Sequence, residues 1–425
     1  MKHGLYLLSV LLIVNFTFAQ TVKNFTPATK AEDAGLSTQR LARIDGLVES
    51  YLRQQFIPGA VVLIIRNGKV AYHKAYGHKN ISTKTPLQKN DIFRIASQTK
   101  AITSLAVMML FEEGKFLLDD PISKYIPEFA SPKVLATFQQ KDSSYTSEPA
   151  RNEITIRHLL THTSGIDYAA IGSAEFKAIY AKAGIPSGIG NHRELLGEKM
   201  RVLGTLPLKH NPGERWTYGL NTDVLGYLVE VLSGLSFDEF LRTRIFDPIG
   251  MKDTYFYLPK NKHDRLVALY ESIDGKTVPI QSKVYDDVDP NYPLLPGKYF
   301  SGGAGLSSTV EDYAKFLQLF LNKGEFNGVR LLSRKTVELM LTDQIPDNVS
   351  PENEFGLGFG LETNVNDHKS LLSVGSFLWG GAYNTQYWAD PRENLIGLIF
   401  TNAYNSPYWR IGEHFKTLTY QSISD

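Results

Sequence analysis

The sequence predicts a mixed α/β chain of the α+β type: one antiparallel sheet built from the N- and C-terminal segments, flanked by helices, with a mostly helical region inserted. Three observations carry this. β-branched and aromatic runs cluster near both ends of the chain. Apolar residues at helical spacing dominate between them. The 425 residues, 43% hydrophobic and 21% charged, show no repeat and no low-complexity tract, so one large core or two coupled ones account for the length.

Taken in order, residues 20–38 form an irregular lead-in. Gln39 to Gln55 places Leu41, Ile44, Leu47, Val48 and Leu52 on one helical face. Val61 to Ile65 is a β-branched run, Asn67-Gly68 is a tight-turn dipeptide, and Val70 to Tyr76 returns, which predicts a hairpin. Ile92 to Glu113 predicts a buried helix behind a short strand or loop, stopped by Gly114. Residues 115–300 are mixed, with short helices, prolines and long loops; Asp223 to Leu232 ends at Gly234, and Phe237 to Ile245 has Ser236 as N-cap. Val310 to Leu321 is a further amphipathic helix opened by Ser307-Ser308-Thr309. Phe355 to Glu362, Asn384 to Ala389 and Leu395 to Thr401 are strands, with Asp390-Pro391 turning between the last two. A helix from about Trp409 to Leu418 closes the chain. The sheet subdomain is then expected over about 35–90 and 295–425, and the helical subdomain over about 91–294.

Lys2, the apolar run Leu5 to Val14 and the small residues of Thr17-Phe18-Ala19 have the form of a secretory signal peptide cut after Ala19. The run is short for a span, which takes about 20 apolar residues. Export to the periplasm or medium is expected, with no membrane anchor left after the cut. Removing residues 1–19 takes away Lys2 and no acid, so the 45 basic and 44 acidic residues come into balance. A neutral chain gives no electrostatic case for nucleic acid. The absence of cysteine excludes disulfides, thiol catalysis and Cys-ligated zinc.

Three motifs carry chemistry. Ser97-Gln98-Thr99-Lys100 puts a hydroxyl and an amine on one helical face, three residues apart. A serine needs a neighbouring base to become a nucleophile, and a desolvated amine can serve. Trp216-Thr217-Tyr218-Gly219-Leu220-Asn221 presents a loop tyrosine whose phenol could move protons beside a lysine. Trp379-Gly380-Gly381-Ala382 enters a strand, where glycines allow close approach and backbone N–H groups could hold an oxyanion. His158 and His162 lie four apart but lack the Glu of His-Glu-x-x-His and a third ligand, so no metal is expected. Gly356-Leu357-Gly358-Phe359-Gly360 lacks dinucleotide spacing, no cofactor is implied, and there is no Gly-x-Ser-x-Gly elbow.

As a set, these stretches resemble the serine β-lactamase-like superfamily, in the branch of class C β-lactamases, DD-peptidases and family VIII carboxylesterases. Phe93 to Lys100, Ile156 to Gly165, Tyr218 with Asp223-Val224-Leu225-Gly226, Gly302 to Leu306, and Trp379-Gly380-Gly381 carry the likeness over roughly 35–410. The resemblance implies a β-lactamase/transpeptidase-like fold and an acyl-enzyme on Ser97. Lys100 and Tyr218 would share proton transfer, and the N–H groups of Ser97 and Ala382 would form the oxyanion hole. The His162-Thr163-Ser164-Gly165 turn would be scaffold.

There are two departures. Trp379-Gly380-Gly381 stands where the β-lactamases and peptidases carry Lys-Thr-Gly, so the cation that meets a substrate carboxylate is missing. The family's Tyr-x-Asn is also absent: Leu220 is two after Tyr218, and Asn221 comes one position late. The expectation is therefore a carboxylic-ester hydrolase acting on a small-molecule ester or amide. A β-lactamase or D-amino-acid peptidase is the first alternative, and a catalytically idle binding or sensor domain the second.

Overall fold

The computed structural model describes residues 22–425 except 190–192, 281–282, 286–287, 347 and 351–353. The export segment expected at residues 1–19 lies outside the described residues. No helix among the described residues is long and apolar enough to cross a membrane.

The elements that position the site are helix α1 (Thr38–Arg53), strands β1 (Gly59–Arg66) and β2 (Lys69–Asn80), helices α2 (Thr99–Glu112), α3 (Asn221–Ser233) and α4 (Val310–Leu321), strands β3 (Phe377–Gly381), β4 (Thr385–Asp390) and β5 (Leu395–Phe400), and helix α5 (Ile411–Tyr420). They build one eight-stranded sheet in the order Thr26–Pro27, β2, β1, β5, β4, β3, Gly360–Leu361, with Thr85–Pro86 paired to β2. Every pairing is antiparallel except that of Thr26–Pro27 with β2. β5 joins the two ends of the chain by pairing with β1 from Leu395↔Arg66 to Phe400↔Val61.

The unbroken apolar run in β1 follows from burial on both faces. Val61, Leu63 and Ile65 point into the large core, while Ala60, Val62 and Ile64 point into a second core beneath α1 and α5. β5 divides the same way, with Ile396, Leu398 and Phe400 on one side and Leu395 and Ile399 on the other. The period of two assigns every second residue to each core. At about 1.5–3 kcal/mol per fully buried large aliphatic side chain, these two central strands are strong determinants of the fold. Asn67 and Gly68 both have positive φ, +54° and +74°, as the tight hairpin between β1 and β2 requires.

α2 is buried on almost every side, from Thr99 to Leu110, and packs against α3. A helix that is apolar all round belongs in the interior. The caps fall where expected. Thr309 Oγ accepts the N–H of Asp312 to open α4, Ser236 accepts that of Glu239, and Gly234 closes α3 at φ +74°.

The structure corrects three local expectations. Phe355 to Glu362 is not a continuous strand; only Gly360–Leu361 pairs with β3. Gly358 has φ +103° and its Cα lies so close to Ser104 that an added Cβ would come within 2.3 Å of the hydroxyl, so the glycines turn the chain onto α2. The helix expected over Phe237 to Ile245 is α-helical only to Leu241 and then widens into a π-turn over Arg242–Phe246. Two hairpins went unanticipated, Lys133–Gln139 with Ser144–Pro149 and Tyr270–Ile273 with Lys276–Pro279. The second turns at Asp274-Gly275, both at positive φ, a dipeptide that could have revealed it.

Candidate active site

Ser97 sits half-buried in a single 3₁₀ turn, Ala96–Gln98, that leads into α2. The turn is held from both sides. Ile95 N–H donates to the Leu306 carbonyl at 3.0 Å, and Tyr313 on α4 donates its hydroxyl to the Gln98 carbonyl at 2.9 Å. Ala96, just before the serine, has φ +43°. A residue with a Cβ in the left-handed region costs about 1–3 kcal/mol, a strain found at sites whose surroundings dictate the backbone.

Lys100 lies one turn along the helix and is buried. Its Nζ is 3.4 Å from Ser97 Oγ, donates to the Gly303 carbonyl at 2.8 Å, and is 3.1 Å from the Tyr168 hydroxyl. Its neighbour one turn on, Thr103, donates to the Gly302 carbonyl at 2.7 Å, so the Gly302-Gly303 pair is strapped to α2 at two points. An added Cβ would lie 2.3 Å from the Thr222 carbonyl at Gly302 and 2.4 Å from Asp223 Oδ2 at Gly303. Glycine is needed there for the strap to lie between α2 and α3.

Tyr218 is half-buried and presents its ring to the amine, with Lys100 Nζ 4.5 Å from the ring centroid. The phenolic oxygen that reaches Lys100 belongs to Tyr168, a residue the sequence reading did not single out. Burial pushes the Tyr168 phenol well above its ordinary value, so Tyr168 stays protonated. Its only sequence signal is position, three residues beyond the His162-Thr163-Ser164-Gly165 turn.

That turn is a scaffold by geometry. Asn221, fully buried, accepts from Ser164 Oγ through Oδ1 and faces His162 Nδ1 with Nδ2 at 3.0 Å. The amide donates, so His162 Nδ1 is an acceptor and the ring is neutral. Burial, reinforced by the Lys100 charge, holds this imidazole well below its ordinary range. Asn221 therefore spends both ends of its amide inside the protein and faces no substrate. His162 in turn packs its ring 4.9 Å from that of Tyr218. His158 is used locally, its Nδ1 accepting the Thr155 N–H at the start of Ile156–Leu160.

β3 brings Trp379, Gly380 and Gly381 beside the serine turn. At Gly381 an added Cβ would stand 2.1 Å from the Ile95 carbonyl and 2.5 Å from Thr385 Oγ1. This contact sets the strand end, and Ala382 after it, next to Ser97. Trp379 joins an aromatic wall, 5.9 Å from Tyr218 and 5.2 Å edge-on from Phe355, with Trp216 stacked 5.9 Å from Tyr218. Ser97, Lys100, Tyr218 and Trp379 to Ala382 are thus brought together; Asn221 stands behind them.

Gly381→Ala is expected to lower kcat by about 10²–10³-fold, the scale of one lost oxyanion donor. The overpacked contact should also lower unfolding free energy by about 1–3 kcal/mol in urea titration. Gly380→Ala, whose Cβ would meet the ring of half-exposed Trp409 at 2.7 Å, should be milder because that side chain can swing aside. Equal losses in both variants would remove Gly381 from any special role.

Comparison with known proteins gives a consistent picture. A family model described as Beta-lactamase matches residues 44–421. Esterase EstB of Burkholderia gladioli is 30% identical over 378 residues, covering 85% of this chain and 90% of that protein. A lovastatin esterase of Penicillium rubens is 31% identical over 370 residues, covering 80% and 88%. Among solved structures, EstCE1, described as a hydrolase with promiscuous acyltransferase activity, superposes with a TM-score of 0.79 at 27% identity, covering 90% of this chain and 99% of that one.

Proposed function

The chain belongs to the Beta-lactamase family, a family of serine hydrolases that includes esterases, and from this premise we propose that it hydrolyses carboxylic esters through an acyl-enzyme on Ser97. The observation that carries the reading is the meeting of Ser97 and Lys100 beside a strand whose Trp379 supplies no cation. Ser97 Oγ attacks the ester carbonyl as its proton leaves toward Lys100 and Tyr218. The N–H groups of Ser97 and Ala382 receive the oxyanion. The alcohol departs with the proton, and water, activated by the same groups, releases the acid and restores the serine. Export to the periplasm or medium is part of the reading and rests on the pattern of residues 1–19 alone.

The alternative of a β-lactamase or D-amino-acid peptidase uses the same nucleophile but wants a positive partner for a substrate carboxylate. The aromatic wall of Trp379, Tyr218, Trp216 and Phe355 favours an uncharged group instead. Short p-nitrophenyl esters should be turned over with kcat/KM at least about a hundredfold above nitrocefin or a D-Ala-D-Ala peptide, the scale of one lost interfacial ion pair. Faster cleavage of nitrocefin would reverse the ranking. Acyl transfer to an added alcohol is a second reading, supported by the activity described for EstCE1.

A further inference from the structure

Behind Lys100 lies a buried polar cluster that the acyl-enzyme chemistry does not use. Asp223, in the first turn of α3, and Ser301, at the start of the glycine strap, are both fully buried. Ser301 Oγ is 2.5 Å from the Gly188 carbonyl oxygen and 2.7 Å from Asp223 Oδ1, and accepts the Ala304 N–H at 3.1 Å. Each of the two oxygen–oxygen contacts needs a proton between its atoms. The carbonyl has none to give, and the hydroxyl has one. If Ser301 donates to Gly188, the proton in the second contact must come from Asp223. The serine oxygen then has one donated and two accepted hydrogen bonds, its full complement. The other carboxyl oxygen, Oδ2, packs against Gly303 without a formed hydrogen bond, which a buried carboxylate would tolerate poorly.

We propose that Asp223 is held as a neutral carboxylic acid and acts as a positioning residue, donating its proton to Ser301 so that the Ser301-Gly302-Gly303 strap keeps the Gly303 carbonyl on Lys100. The neutral acid adds no negative charge behind Lys100, whose amine the ester-hydrolase reading needs as a proton acceptor. The titratable groups facing Asp223 are Lys100 from α2, Tyr168 from the loop after the scaffold turn, and Tyr299 from the chain leading into the strap. Burial pushes the Asp223 carboxyl up to about 6, against the opposing pull of Ser301, Lys100 and the nearby backbone N–H groups of Gly303 and Asp223.

The inference rests on the ester-hydrolase reading only in its rate measurement; the other two measurements stand without it. Difference infrared spectroscopy of the wild-type protein against Asp223→Asn at pH 5 should show a protonated-carboxyl carbonyl band that the variant lacks. The folded acid holds its proton more tightly than the unfolded one, so Asp223 contributes stability that is complete below about pH 4 and lost as pH rises through about 6. The wild-type Tm should therefore fall relative to that of Asp223→Asn across this window. Asparagine keeps a donor toward Ser301, so at pH 5, where the wild-type carboxyl holds its proton, this variant should retain kcat/KM within about threefold, under 1 kcal/mol in barrier. Ser301→Ala, which frees the strap, should lose about ten- to a hundredfold in kcat with KM little changed, the scale of a small misplacement of a catalytic group. No infrared band, or a folded but inactive Asp223→Asn, would overturn the proposal in favour of a carboxylate paired with Lys100.

Discussion

Ser97→Ala is expected to lower kcat/KM for a p-nitrophenyl ester by about 10⁴-fold or more, and to leave no acyl adduct in intact-protein mass spectrometry. The size follows from the geometry. Among the described residues no other hydroxyl is placed as Ser97 is, on a strained turn whose ends are tied to Leu306 and Tyr313, with an amine 3.4 Å away. Lys100→Ala should approach the same loss, because a serine without its base is nearly as inert as no serine at all. The double variant should then fall little further than either single one, since groups that act as a unit are not additive. Both substitutions lie beside the core, but Ser97 is half-buried and its hydroxyl contributes only the contact with Lys100, so Ser97→Ala should unfold near the wild-type midpoint. Retained turnover in well-folded Ser97→Ala would end the acyl-enzyme reading outright.

The sheet could be read from the chain because its central strands obey a simple period. β1 and β5 are continuously apolar because both faces are buried, α1 and α4 open at the hydroxyls of Ser37 and Thr309, and α3 ends at Gly234. Ser97 and Lys100 were legible for a related reason: three residues along a helix fix their meeting. Tyr168 was not legible in this way. Its hydroxyl reaches Lys100 from 68 positions away, through a loop whose path depends on packing that no local pattern encodes. The fate of Asn221 was hidden likewise. Proximity to Tyr218 made it a candidate, and only the placement of His162 and Ser164 shows that its amide is consumed in the scaffold. The glycines of Phe355 to Leu361 misled in the opposite sense, since an aromatic and apolar run suggested a strand where Gly358 turns away onto Ser104.

The two tyrosines at Lys100 should separate by mutation. Tyr168 is buried, and its phenol is pushed well above the ordinary value, chiefly by desolvation. A group that resists ionisation so strongly is a poor carrier for a proton that must leave and return within each turnover. Its role is to accept from Lys100 at 3.1 Å and, with Gly303, to fix where the amine points. Tyr168→Phe removes one hydrogen bond to a charged or chargeable group, about 1.5–3 kcal/mol, so kcat should fall about ten- to a hundredfold. Tyr218 stands half-exposed at the mouth of the site with its ring 4.5 Å from the same amine, backed by His162 and Trp216. A modest rotation of that side chain on substrate binding would bring its hydroxyl toward the leaving alcohol, since catalytic contacts commonly tighten only in the bound state. Tyr218→Phe should therefore cost more, about 10²–10⁴-fold, and should steepen the dependence of rate on the pKa of the leaving alcohol, because a poor leaving group needs the proton most. Steady-state kinetics over a series of aryl and alkyl esters measures both quantities. A larger loss in Tyr168→Phe, together with the steeper leaving-group dependence, would transfer the proton-carrying role from Tyr218 to the Lys100–Tyr168 pair.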